Sequence, residues 1–161
     1  MAGAGLQILL LLLVSNAAPI LTARLFGSLG TWPIDLGRSL PDGQPLFGSS
    51  KTWRGLIAVL VTACVSAWYL GLGVRFGLIF GLLIITGDLL SSFCKRRMSV
   101  PPSGQCLGLD QLPESLIPVL YAVPAVGIPW WWVIVLPLAF MVIELLVSPP
   151  LYWLKIRKRP Y

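Results

Sequence analysis

The sequence predicts an all-α polytopic membrane protein with about five transmembrane helices. Three observations carry that expectation. The 161 residues are 57% hydrophobic and only 11% charged, with a mean hydropathy of +0.85. A soluble domain carries roughly 25% charged residues, so lipid must be the outer solvent for much of this chain. The apolar residues also fall into runs close to the ~20 residues that cross a bilayer as a helix. Most of the charges, finally, gather between and after those runs.

The first predicted helix covers residues 6–25. Ser15-Asn16-Ala17-Ala18 looks faintly like a cleavage site, but no positive charge precedes Arg24, so the segment reads as a membrane helix rather than a signal peptide. Asn16 and Pro19 fall inside it. A polar group and a proline at that depth need neighbouring helices or a cavity to satisfy them. Residues 26–54 are polar and rich in Gly, Pro and Ser. An unstructured stretch of this length is usually functional or disordered, and its aromatic and glycine content points to an ordered loop. A helix over 55–72 follows, then the tight turn Gly71-Leu72-Gly73 and a helix over 74–93. A second polar loop runs from Cys94 to Leu112. Helices over 113–128 and 130–151 complete a single membrane domain spanning 1–161. Gly127 to Pro129 and Trp130-Trp131-Trp132 mark the turn between the last two as interfacial, and Pro137 is an expected kink. No internal repeat is present.

With five helices, the two long loops and the tail share one side. That side holds Arg38, Lys51, Lys95, Arg96, Arg97 and Lys155. Among the loops, only Arg75 lies opposite. The positive-inside rule then places the N-terminus outside and the C-terminus in the cytoplasm. The expected location is the cell (inner) membrane, with the polar loops facing the cytoplasm. The net charge of +6 is therefore topological, the basic tail also suits anionic headgroups, and no nucleic-acid partner is expected. No pattern in the chain specifies an oligomeric state.

The chain has no histidine. This removes Ser-His-Asp and Cys-His catalysis and any imidazole base. Cys64, Cys94 and Cys106 show no C-x-x-C spacing, which argues against a disulfide framework or a zinc site. Chemistry must come from carboxylates, lysine, arginine, hydroxyls or a bound metal.

Five of the six carboxylates, Asp35, Asp42, Asp88, Asp110 and Glu114, fall toward the polar-loop side. Asp88, Ser91, Ser92 and Lys95 stand at i, i+3, i+4 and i+7 and so share one helix face. An ionisable residue in a membrane helix is a functional candidate, although a polar helix end with a snorkelling lysine explains the same stripe. Asp110 and Glu114 suit helix capping and a first turn. Placed near Asp88, they also suit a hard cation such as Mg²⁺. Gly48-Ser49-Ser50-Lys51-Thr52 lacks the phosphate-loop spacing, yet it offers backbone N–H groups and a cation ahead of a helix. The alternative there is a capped helix start.

Four blocks together resemble the CDP-archaeol synthase family, which is similar to bacterial phosphatidate cytidylyltransferases. They are Asn16-Ala17-Ala18-Pro19; Pro33-Ile34-Asp35 with Asp42-Gly43; Leu46 through Gly55; and Gly87 through Arg97 followed by Leu109-Asp110-Gln111-Leu112. The last looks like G-D-x-x-x-S-x-x-K-R with L-D-[RQ] and is the most specific. The resemblance implies transfer of a cytidylyl group from CTP to a membrane lipid phosphate, in phospholipid biosynthesis, with release of pyrophosphate. It implies Asp88 and Asp110 as Mg²⁺ ligands, with Lys95 beside them as a catalytic cation. Lys51, Arg54, Lys95 and Arg96 would hold phosphates. Thr52, Ser91, Ser92 and Arg97 lie in the same blocks and are further substrate-binding candidates, and Asn16, Asp35 and Asp42 would belong to the same cavity. The sequence departs from the family at Pro113, where a second aspartate is common. Glu114 follows, about 100° further round a helix, and is a candidate third metal ligand. A non-catalytic lipid-phosphate binding or transport protein on the same scaffold is the alternative.

Overall fold

The computed structural model describes residues 2–102 and 104–154. The basic tail from Lys155, used above for orientation, lies outside the described residues. Five helices follow in order: α1 Ala2–Phe26, α2 Trp53–Tyr69, α3 Val74–Arg97, α4 Gln111–Ala125 and α5 Trp132–Trp153. The protein is an all-helical integral membrane protein. Within the described residues the long loop before α2 contributes only two isolated bridges, Pro33 with Thr52 and Ser39 with Pro45.

Two boundaries differ from expectation in ways that matter. α3 continues through Lys95, Arg96 and Arg97, which the sequence reading placed in a loop. Cations in a last turn complement the helix C-terminal carbonyls, so the basic run prolongs the helix. α4 starts at Gln111 and ends at Ala125, earlier at both ends than the predicted 113–128. Pro113 falls in its first turn, where a missing N–H costs nothing.

All five helices feed one core, with Leu12, Val59, Phe80, Val119 and Phe140 among its buried members. Small residues let the backbones approach, the usual means of packing in lipid. Gly77 on α3 lies so close to α2 that a Cβ there would sit 2.7 Å from Ala67 Cβ and 2.8 Å from Cys64 Cα. Gly5 on α1 accommodates the Trp132 ring in the same way. That contact, with the Gln7 side chain donating to the Leu70 carbonyl, places the start of α1, the α2–α3 turn and the start of α5 at one end. Exposed Trp68, Tyr69, Trp130 and Trp131 ring this end, as an interfacial belt does, and exposed Trp153 stands at the far end of α5.

α1, α3 and α5 are long and apolar enough to cross a membrane. α2 and α4 are shorter, at 17 and 15 residues. Asp88 lies 14 residues after Val74 and 9 before Arg97, about 21 Å and about 14 Å along the helix at 1.5 Å per residue. α2 leaves the shared turn with α3 and runs about 24 Å back to Trp53, its first residue. Its start therefore lies near the level of Asp88, well short of the α3 end. The first turn of α4 packs at Gly87, at the same depth. The loops ahead of α2 and α4 thus descend into the bundle. Irregular backbone at that depth requires a protein-lined cavity.

Candidate active site

A cavity of about 670 Å³ occupies this level, within the range of small-molecule sites. All five helices and both long loops wall it. α1 supplies Asn16 and Arg24, α2 and its approach supply Ser49, Ser50, Lys51, Thr52 and Arg54, and α3 supplies Asp88 and Lys95. Asp110, Gln111 and Glu114 come from the start of α4, and Glu144 and Ser148 from α5.

Two ion pairs stand at its centre. Lys51 Nζ is 2.5 Å from Asp88 Oδ1, and Lys95 pairs with Asp110. Lys51 is held by its backbone on both sides: its N–H donates to the Gly48 carbonyl, and its carbonyl accepts the Ile34 N–H. Lys95 also donates to the Gly104 carbonyl at 3.1 Å. The second Asp110 oxygen accepts the Cys106 N–H at 2.8 Å, and no hydrogen bond from Asp110 caps α4. Asp110 is thus turned toward the loop and Lys95, not used as a helix cap. Gly87 explains how Glu114 arrives. With no Cβ on Gly87, α4 closes on α3 until the Pro113 carbonyl and Glu114 Cα lie against it, and the neighbouring Asp88 and Glu114 enter one cavity.

Other candidates on the wall carry structural partners. The Thr52 hydroxyl accepts the Gly55 N–H and caps α2, so the capping alternative holds for that side chain. Arg54 donates to the Gly27 and Leu29 carbonyls, holding the turn after α1. Asn16 Nδ2 donates to the Leu12 carbonyl of its own helix.

Six residues expected at the substrate are not part of the wall. Asp35 is 6% exposed and sits within the long loop. Its carboxylate accepts N–H bonds from Gly37, Phe47 and Gly48 at 3.1, 3.0 and 2.8 Å. Burial pushes its pKa up, but these three donors outweigh burial and hold it below the ordinary aspartate value. Asp42 pairs with Arg97, which also donates to the Gln44 and Pro45 carbonyls. This clasp ties the loop to the α3 end. Ser91 and Ser92 are buried off the wall, Ser91 donating to the Asp88 carbonyl. Arg96 is 2% exposed and packs beside Gly48. Of the four residues on the predicted shared face, Asp88 and Lys95 line the cavity, and Ser91 and Ser92 lie off it. Sequence reasoning gave Glu144 no role and did not single out Arg24, Gln111 or Ser148, yet all line the cavity. A lone glutamate in the most apolar helix was the available signal.

The model of the CarS-like CDP-archaeol synthases matches residues 5–161. The chain belongs to the CDP-archaeol synthase family. The family is one of CTP-dependent cytidylyltransferases, so the protein is an enzyme of that class. The CDP-archaeol synthase of Pyrococcus furiosus is 32% identical over 149 residues, covering 86% of this chain and 81% of its own. That of Thermococcus onnurineus is 36% identical over 152 residues, covering 86% and 80%. A solved structure, of an intramembrane enzyme for archaeal membrane lipids biosynthesis, superposes with a TM-score of 0.71 at 26% identity, covering 88% of this chain and 90% of that one.

Proposed function

We propose that this enzyme transfers the cytidylyl group of CTP to an isoprenoid ether lipid phosphate of the archaeol type, giving a CDP-lipid and pyrophosphate. The observation that carries this reading is the pairing of two lysines with two aspartates in one cavity below the level of the α3 end. A lipid phosphate can reach such a site without leaving the bilayer, while CTP enters past the polar loops. The N-terminus is then outside, the C-terminus cytoplasmic, and the cavity opens to the cytoplasm from the cell membrane.

In this mechanism a lipid phosphate oxygen bonds to the α-phosphorus of CTP, and the bond from that phosphorus to the β-bridging oxygen breaks. The nucleophile is already ionised at neutral pH, so no histidine base is needed. The obstacle is anion repulsion and charge on the leaving pyrophosphate. Lys51 and Lys95 hold phosphoryl oxygens and offset that charge in a setting where such contacts are strong. Arg24 and Arg54 add positive charge on the wall. The donor set fits Mg²⁺: its side chains are carboxylates, and Mg²⁺ takes one or two of these together with substrate phosphates. Among the described residues no three carboxylates lie close enough to cage an ion, so substrate phosphates would have to complete its shell. Asp88 and Asp110 would hold it, with Glu114 as a third oxygen donor replacing the aspartate absent at position 113. When bound, Mg²⁺ would neutralise charge on the phosphates and the leaving group.

The test is CDP-lipid and pyrophosphate formation by purified protein in nanodiscs, with CTP, Mg²⁺ and a panel of ether and diacyl lipid phosphates. Turnover with the ether lipid is expected. Turnover confined to diacyl phosphatidate would overturn the acceptor assignment. Stoichiometric lipid binding with no turnover across the panel would favour the binding or transport alternative.

A further inference from the structure

Two of the three carboxylates placed to hold a metal, Asp88 and Asp110, are already engaged. Lys51 holds Asp88 and Lys95 holds Asp110, while the other Asp110 oxygen is occupied by the Cys106 N–H. A divalent ion approaching either carboxylate alone meets an ammonium at contact distance. Displacing that ammonium leaves a cation unpaired in a half-buried setting, which is costly. A phosphate approaching either lysine alone strands a carboxylate in the same way. Both obstacles disappear when the two arrive together. The two carboxylates pass to the ion, the two lysines pass to phosphoryl oxygens, and every charge keeps an opposite partner. Two carboxylates match one divalent ion and two ammoniums match two of the nucleotide's phosphate charges, with Arg24 and Arg54 on the same wall for those that remain.

We propose that Lys51 and Lys95 are resident counter-ions that bar free divalent metal from Asp88 and Asp110, so that metal and nucleotide phosphates enter as a unit by exchanging ion-pair partners. The inference rests on the metal assignment made above. It gives the lysines a role beyond phosphate binding: they make the carboxylates poor ligands until nucleotide is present. Lys51 is suited to this because its backbone is fixed from both sides while its side chain alone must move. Lys95 is suited because the Gly104 carbonyl already shares its ammonium.

The test uses the full chain in nanodiscs, with Mn²⁺ as the probe and its paramagnetic resonance signal as the readout. Wild-type protein is expected to bind Mn²⁺ weakly alone and tightly with CTP. The double variant Lys51→Met, Lys95→Met should bind Mn²⁺ alone about tenfold more tightly or better, because two like charges have been removed. Lys51→Arg, Lys95→Arg keeps the counter-charge and should stay as weak as wild type. Equal Mn²⁺ affinity in the wild type and the Met variant would overturn the counter-ion role. A Met variant that does not fold leaves the wild type to decide: CTP should bind about tenfold more weakly in chelator than in Mn²⁺, and equal CTP affinity would overturn the proposal. Absence of Mn²⁺ binding in every protein, with and without CTP, would remove the metal assignment itself and this inference with it.

Discussion

Gly87→Ala adds one methyl group where α3 meets α4. That methyl would overlap the Pro113 carbonyl and lie 2.6 Å from Glu114 Cα, whereas ordinary contacts begin near 3.4 Å. The atoms it meets are backbone, so no side chain can swing aside. α4 must move off α3 by roughly 1 Å, and overpacking of this kind costs about 1–3 kcal/mol. The displacement falls on Glu114 and on the neighbouring Asp88. A misplacement of about 1 Å at a reacting centre can cost about 10²-fold in rate. Gly77→Ala is the matched control. It creates a similar overlap, with α2, but ten residues closer to the opposite end of α3. Both variants should lower thermal stability in nanodiscs, and Gly87→Ala alone should also lower CDP-lipid formation per folded molecule by about 10²-fold. Normal turnover by folded Gly87→Ala would refute the idea that close α3–α4 contact assembles the site. Equal loss of turnover in Gly77→Ala would refute the idea that position matters beyond packing.

Asp35→Ala leaves three backbone N–H groups without their acceptor and should cost about 2–4 kcal/mol, with a fall in activity because Gly48 and Lys51 lose their anchor; unchanged melting would contradict this. Because the Asp35 pKa is lowered on folding, its stabilisation is present above the ordinary aspartate value and is lost as pH falls through the lowered one. Melting curves from neutral to acid pH should therefore flatten for Asp35→Asn relative to wild type in that acid window. Asp42→Ala removes a largely exposed ion-pair partner and should cost under about 1 kcal/mol. Arg97→Ala also strips donors from the Gln44 and Pro45 carbonyls, so its melting temperature should fall further than that of Asp42→Ala.

Composition and spacing made the helix number and the polar side of the bundle legible, because lipid burial imposes long apolar runs and leaves charges nowhere else to go. That Asp88, Lys95 and Asp110 need partners was legible too, since charge in or beside an apolar helix demands them. What was not legible is depth. The apolar runs over α2 and α4 gave their approximate positions, but not that both begin near the level of Asp88, because loop residues 48–52 and 106–110 descend by means of backbone hydrogen bonds that no periodicity encodes. Asp35 illustrates the same gap. A carboxylate among Gly and Pro looks like a ligand, and only the fold reveals three N–H groups converging on it. Glu144 needed the opposite correction, since its place on the wall depends on how α5 packs beside α1 and α4.

The most direct measurement is CTP- and lipid-phosphate-dependent pyrophosphate release by wild type and Asp88→Asn in ether-lipid nanodiscs, each checked for folding by melting. The wild type should release pyrophosphate in step with CDP-lipid, and Asp88→Asn should fall by roughly 10²-fold or more while remaining folded. Near-normal release by Asp88→Asn would contradict the claim that the paired lysines and aspartates of this cavity carry the reaction.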